Sequence, residues 1–145
     1  MRIITLNLNG LRSAASKGFF EWLSRQNADI VCVQELKAQL GDLTEKMRTP
    51  DSYCGYFHCA GKKGYSGVGI YSRREPDNLV EGIGIPAIDL EGRFLRADFA
   101  NLTVISLYLP SGSSGEHRQE MKYFFMEHFS PILQALAQSG RDVVL

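Results

Sequence analysis

The sequence predicts an α/β domain whose β-sheets mix parallel and antiparallel strands. Three observations carry this. Short apolar runs of strand length, such as IVCVQ at residues 30–34, are interleaved with segments whose apolar residues recur at helical spacing. Two pairs of strand candidates are joined by links too short for a helical crossover, at residues 61–64 and 100–101, so antiparallel hairpins accompany any parallel pairing. Hydrophobic residues make up 44% of the 145 and charged residues 22%, the balance of a globular domain with a core of its own.

The first strand is expected over residues 2–8. A helix over 16–26 follows, because Phe19, Trp22, Leu23 and Gln26 fall on one face and Asn27-Ala28-Asp29 ends it. Residues 30–34 form a run without alternation, as in a strand covered on both faces. A short helix over 42–48 is stopped by Thr49-Pro50. Strands over 53–59 and 66–72 are linked through Gly61-Lys62-Lys63-Gly64, and strands over 93–99 and 102–109 through Ala100-Asn101. A Ser- and Gly-rich loop at 110–115 leads into a long helix starting near Glu116. Its apolar face is Met121, Phe124, Phe125, His128, Phe129, Ile132, Leu133 and Leu136. His128 on that stripe reads as a packed histidine. Pro131 leaves two options open: Ser130-Pro131 restarts the helix, or the helix kinks there. Gly140 ends it, and residues 142–145 begin another apolar strand.

Sixteen Lys and Arg balance sixteen Asp and Glu, which excludes a globally basic nucleic-acid coat. An anionic partner would need local basic positions or a metal. No apolar stretch approaches the roughly 18 residues of a membrane span and no signal peptide is evident, so the expectation is a cytoplasmic protein without membrane contact. Cys32, Cys54 and Cys59 read as reduced thiols. Cys54, His58 and Cys59 lie close together, but no second ligand pair at zinc-finger spacing follows.

Four segments could carry chemistry. In Asn7-Leu8-Asn9-Gly10-Leu11-Arg12, directly after the first strand, the amides at i and i+2 point the same way. They could orient a phosphate, a water or a carboxylate, or simply make an Asn-Gly turn. Glu35 ends a buried strand, which costs free energy unless it is paired or binds a metal. Lys37 could be a structural partner. Alternatively Glu35 is a hard oxygen ligand for Mg²⁺, an ion that takes one or two carboxylates and keeps its waters, with Lys37 steadying it. The segment from Lys62 to Gly69, KKGYSGVG, is neither a P-loop nor a dinucleotide fingerprint, and Val68 breaks the G-x-S-x-G elbow. It is either a hairpin turn or a small-residue loop that approaches a nucleic-acid backbone with two lysines and Tyr65. Tyr108, at the end of a strand before Pro110-Ser111-Gly112, either directs its hydroxyl into a cleft or packs.

Together and in this order, the segments NLNGLR, ADIVCVQELK, KKGYSGVGIYS, EGRFLRADF and ISLYLPSGSSGEHR resemble the exonuclease III family of class II abasic-site endonucleases. That family belongs to the wider endonuclease/exonuclease/phosphatase superfamily with the DNase I-like fold. The resemblance implies a four-layer α/β sandwich of two packed mixed sheets. It implies divalent-metal-dependent DNA phosphodiester hydrolysis in base excision repair, as abasic-site endonuclease and 3′–5′ exonuclease. Mg²⁺ is the implied cofactor, with Mn²⁺ as an option. Glu35 and Asn7 match the metal site, supported by Asn9 and Lys37, and Tyr108 and Asn7 the catalytic groups. Arg12, Lys62, Lys63, Tyr65, Ser66, Arg93 and Ser111 match positions near DNA, Arg93 with a role in folding equally open. The implied partner is double-stranded DNA with abasic sites or 3′ ends, bound by a monomer when full length.

The family's Gly-Asp-x-Asn segment, its second asparagine-aspartate site and its terminal Ser-Asp-His segment do not occur here. His58, His117 and His128 sit in no such motif. Residues 1–145 are therefore expected to be the N-terminal part of a single nuclease domain, and inactive alone. Two other functions remain open: a phosphatase or phosphodiesterase of the same superfamily acting on inositol phosphates or sphingolipids, and an inactive DNA-binding remnant.

Overall fold

A computed structural model describes residues 1–111 and 115–145. The chain runs β1 (Ile3–Asn7), α1 (Leu11–Ser16), α2 (Phe19–Ser24), β2 (Ile30–Gln34), a 3-10 turn (Leu40–Asp42), α3 (Glu45–Arg48), β3 (Cys54–His58) and β4 (Val68–Ser72). It continues with β5 (Asn78–Glu81), α4 (Pro86–Asp89), β6 (Phe94–Phe99), β7 (Leu102–Leu107), α5 (Glu116–Gln138) and β8 (Asp142–Val144). Two four-stranded sheets form, in the orders β1-β2-β4-β3 and β5-β6-β7-β8. Each is mixed: β1 runs parallel to β2 and β7 parallel to β8, while the other neighbours are antiparallel.

The alternation of side chains across each strand builds four layers. Ile30, Cys32, Val68 and Ile70 of the first sheet meet Leu95, Ala97, Phe99 and Val104 of the second. The opposite face of the first sheet packs Val31, Val33 and Tyr71 against Leu11, Phe19, Phe20 and Leu23 of α1 and α2. The outer face of the second packs Phe94 and Ile105 against Phe125, Phe129 and Leu136 of α5 and Ile88 of α4. Three buried layers explain why β2 shows no alternation: both its faces are covered. All three cysteines are free thiols. Cys32, between the sheets, has its thiol pushed up to about 12 by burial.

Several boundaries differ from the sequence reading. The helix expected at 16–26 is the shorter α2, because Gly18 adopts a left-handed φ of 89° just before it, and α1 precedes it as a separate helix that was not anticipated. The second hairpin strand begins at Val68, since Ser66 and Gly67 both have positive φ. β5 and α4 were not anticipated; EGIGIP gives neither period. Of the two options at Pro131, the restart does not occur: α5 continues through it. His128 does pack, but at the edge of the face: it is half-exposed, its ring 4.3 Å from that of Phe124. Among the described residues, no helix is long and apolar enough to cross a membrane.

Candidate active site

Main-chain hydrogen bonds bring three of the sequence motifs to one end of the sandwich. Leu8 N–H donates to the Gln34 carbonyl, Gly10 N–H to Glu35 and Leu11 N–H to Leu36, at 2.9, 2.7 and 2.8 Å. From the other side, the carbonyls of Gly67 and Ser66 accept from Leu36 and Lys37 N–H at 3.1 and 2.9 Å. The stretch 35–37 is thus held between residues 8–11 and 66–67. Glu35 and Lys37 carry left-handed φ values of 54° and 48°, with Leu36 fully buried between them. Two such values for non-glycine residues are uncommon and turn both side chains off the strand's end.

Glu35 is the centre. Its Oε1 accepts from Asn7 Nδ2 at 2.6 Å and from the Tyr108 hydroxyl at 2.9 Å. Its Oε2 lies 2.8 Å from Lys37 Nζ. Lys37 Nζ also donates to Asn9 Oδ1 at 2.5 Å, and Asn9 N–H donates to Asn7 Oδ1 at 2.9 Å. The bond from Lys37, then that from Asn7, holds the Glu35 carboxyl below the ordinary range, against the opposing effect of burial. Burial first, then the hydrogen bond to Glu35, raises the Tyr108 hydroxyl, which stays protonated at neutral pH. Glu35 comes from the first sheet and Tyr108 from the second, so the site straddles the gap between them.

Sequence reasoning did not anticipate what sets that gap. Gln34 Nε2 donates to Thr5 Oγ1 at 3.1 Å and to Ser106 Oγ at 3.2 Å, and Ser106 Oγ donates to the Val33 carbonyl at 3.1 Å. This polar strut joins the sheets beneath the site. Polar residues at inward positions of apolar strands, Gln34 in IVCVQ and Ser106 in VISL, were the available signal.

A second cluster surrounds Tyr65. Its hydroxyl accepts from Arg93 Nη2 at 2.7 Å and Arg118 Nη1 at 2.8 Å. The Arg93 guanidinium also lies over the Tyr108 ring, 5.2 Å from its centroid, and donates to the Tyr108 carbonyl and to Glu91. Arg93 is only 2% exposed. Of its two possible roles, this placement favours folding: it supports Tyr65 and Tyr108 from behind. Ser66 is likewise 2% exposed, and among the described residues its Oγ has no hydrogen-bond partner. It lies beneath the loop surface, not on it, contrary to the expectation of a DNA contact. Arg12, Lys62, Lys63 and Ser111 are exposed. Gly112, Ser113 and Ser114 of the Ser- and Gly-rich loop lie outside the described residues.

Among the described residues no three His, Cys, Asp or Glu side chains cluster as a metal cage. A divalent ion that keeps its waters needs less: one ionised carboxylate with amide oxygens nearby, the donor set that Glu35, Asn7 and Asn9 provide. The residues therefore fit a hard cation and do not fit a closed structural zinc site.

A model of the endonuclease/exonuclease/phosphatase family matches residues 4–145. An exodeoxyribonuclease of Bacillus subtilis (strain 168) is 39% identical over 146 residues, covering 100% of this chain and 56% of that protein. A DNA-(apurinic or apyrimidinic site) endonuclease of Dictyostelium discoideum is 32% identical over 84% of this chain and 34% of its own length. The solved structure of an AP endonuclease from Archaeoglobus fulgidus superposes with a TM-score of 0.78 at 32% identity, covering 90% of this chain and 50% of that one. The chain spans about half the length, or less, of the relatives it matches.

Proposed function

We propose that this chain, which belongs to the endonuclease/exonuclease/phosphatase family, is the N-terminal part of a Mg²⁺-dependent DNA phosphodiester hydrolase acting at abasic sites and 3′ ends. One observation carries the reading: side chains from two separated segments, Asn7 and Tyr108, donate to a single carboxylate oxygen of Glu35. The names of the relatives supply the substrate class.

Glu35, with the amide oxygen of Asn7, would hold the ion. When bound, Mg²⁺ (or Mn²⁺) would act as a Lewis acid on a phosphoryl oxygen. The chain's own residues do the rest of what this half can do. Lys37 keeps Glu35 ionised, and Asn9 holds Lys37 in place. Tyr108 and Asn7, whose hydroxyl and amide donors meet at Glu35 Oε1, would stand beside a phosphodiester oxygen bound there, where charge gathers as the bond to the 3′ oxygen breaks. Donors fixed in advance stabilise that charge without reorganising. Arg93 and the Gln34–Ser106 strut hold Tyr108 against Glu35 across the sheets. Arg12, Lys62, Lys63, Tyr65 and Ser111 would meet the DNA backbone. No general base stands among these groups. A base supplied from outside residues 1–145 completes the reaction, and the chain alone is expected to be inactive.

Glu35→Gln in the full-length protein tests the assignment. The amide keeps the shape and loses the charge, so divalent-metal-dependent incision should fall by orders of magnitude while the protein stays folded. Unchanged incision would remove Glu35 from the site.

A further inference from the structure

A groove of about 760 Å³ lies between the end of β3, the 3-10 turn, α4 and the edge strand β5. None of its lining residues belongs to the site at Glu35. Phe57, Ala60 and Pro86 give it apolar walls, and Leu40 and Leu90 line it although they are 51% and 67% exposed. Single exposed leucines are ordinary, but two on one apolar groove make a patch. The groove is preformed. Gly61 N–H donates to the Leu90 carbonyl at 2.8 Å and Gln39 Nε2 to the Ala60 carbonyl at 2.8 Å, which ties its walls together. Its polar atoms are acceptors. His58, 9% exposed, donates from Nδ1 to the Phe94 carbonyl at 2.8 Å, because a carbonyl can only accept. The neutral ring then leaves Nε2 as an acceptor, without a hydrogen-bond partner among the described residues. Glu81 and Asp89 add two carboxylates with no cationic partner among the described residues, Asp89 accepting from Ile83 and Gly84 N–H. Burial first, then the Glu81 and Asp42 carboxylates, raises the Cys59 thiol in the same groove. Arg48 turns its guanidinium to the Leu40 and Leu43 carbonyls, and Lys62 lies over the Tyr65 ring.

We propose that this groove is the docking site for a peptide segment of a partner protein, one in which an Arg or Lys is flanked by apolar side chains. The cation sits among His58, Glu81 and Asp89, and the apolar side chains cover Leu40 and Leu90. Charge selects the class of ligand: acceptors and unpaired carboxylates repel a nucleic-acid backbone and attract a basic side chain. The leucines select a peptide over a small amine, because only a longer ligand covers both. A groove already formed adds little ordering cost on binding. The inference does not rest on the DNA reading, and a segment bound here leaves the residues around Glu35 uncovered.

The test is selection of a displayed random-peptide library on the full-length protein, followed by fluorescence anisotropy with the peptides recovered. The expected binders carry Arg or Lys within a few positions of Leu, Ile or Phe. Glu81→Gln should weaken them by about threefold or more and reduce the salt dependence of their affinity. Leu90→Ser should weaken them by about tenfold. Both positions are exposed, so the variants should fold, and the exposed control Glu127→Gln should leave binding unchanged. Incision of an abasic-site duplex should be unaltered in all three variants. A protein that incises DNA but yields no peptide sensitive to Glu81 or Leu90 overturns the docking site alone, as do binders that are acidic or purely polar. Self-association that Leu90→Ser abolishes would make the occupant a second copy of the chain and overturn the peptide assignment. Binding of arginine methyl ester as tight as that of the peptides would make the groove a small-cation site and overturn it equally. Peptide binding with the expected dependences by a protein that does not incise supports the groove and counts against the DNA reading.

Discussion

Replacing Tyr108 with phenylalanine removes one hydroxyl and keeps the ring. The lost bond is the 2.9 Å donation to Glu35 Oε1, a bond to a charged acceptor, worth about 1.5–3 kcal/mol in general. Its effect on stability should lie at or below the lower end. Oε1 keeps the bond from Asn7 and Oε2 the contact with Lys37, and the Glu35 side chain is 17% exposed, so water can replace the missing donor. The ring retains its contact with Arg93. A loss of about 1 kcal/mol shifts the melting temperature of a domain this size by only roughly 2–4 °C. Turnover should respond differently. Removing one preorganised donor from a site of developing charge costs about 2.7–4 kcal/mol, or roughly 10²–10³ in kcat. Thermal melting and single-turnover incision of an abasic-site duplex, run on the same full-length variant, separate the two effects. A large drop in melting temperature with normal turnover would refute the reasoning and leave Tyr108 as a packing residue.

The bond from Lys37 is the largest cause of the lowered Glu35 pKa, so Lys37→Met should move that pKa up toward its ordinary value. A depressed carboxylate gives stability that is present above its unfolded pKa of about 4.3 and is lost as pH falls through the folded value. The variant should therefore lose stability at neutral pH, and the acid limb of its activity should move to higher pH; an unmoved limb would show that Lys37 does not govern Glu35. Gly92→Ala should destabilise by about 2 kcal/mol or more, read by denaturant melting. Gly92 has φ 59°, and a Cβ there would stand 2.5 Å from Ala60 N and 2.6 Å from the Cys59 carbonyl carbon. An unaffected melt would mean that the backbone at 58–60 yields. Arg93→Ala should cost about 1–3 kcal/mol, because it leaves the Tyr108 carbonyl without its donor, while Glu91 is exposed enough for water to replace the guanidinium and Tyr65 keeps Arg118. A loss near zero would show that the cluster around Tyr65 does not need it.

The parts of the fold that the sequence revealed are those where burial dictates residue type. β2 and β7 are mainly apolar runs because they lie inside a sandwich, and α5 shows its face because one side packs on a sheet. Where tertiary contacts choose the conformation, the sequence was silent. β5 is recruited by pairing with β6, and the Phe19 helix is separated from α1 by a single left-handed glycine. The site followed the same division. Asn7, Glu35 and Tyr108 were visible as polar residues at the ends of apolar strands, a pattern that burial alone would not produce. Arg118 and the Gln34–Ser106 strut were not, because their meaning depends on which segment faces them: a Tyr65 hydroxyl fifty-three positions away, and a second sheet. Ser66 shows the converse, a residue in a loop motif that folding places underneath it.

The central claim is that residues 1–145 hold a metal carboxylate and phosphate-orienting donors for DNA hydrolysis but not the base that completes it. The most direct measurement is Mg²⁺-dependent incision of a duplex oligonucleotide with one abasic-site analogue, comparing the 145-residue chain with the full-length protein. Incision 5′ to the abasic site by the full-length protein alone is the expected result. No incision by the full-length protein would contradict the proposed function, and incision by the 145-residue chain would show that the base lies within it.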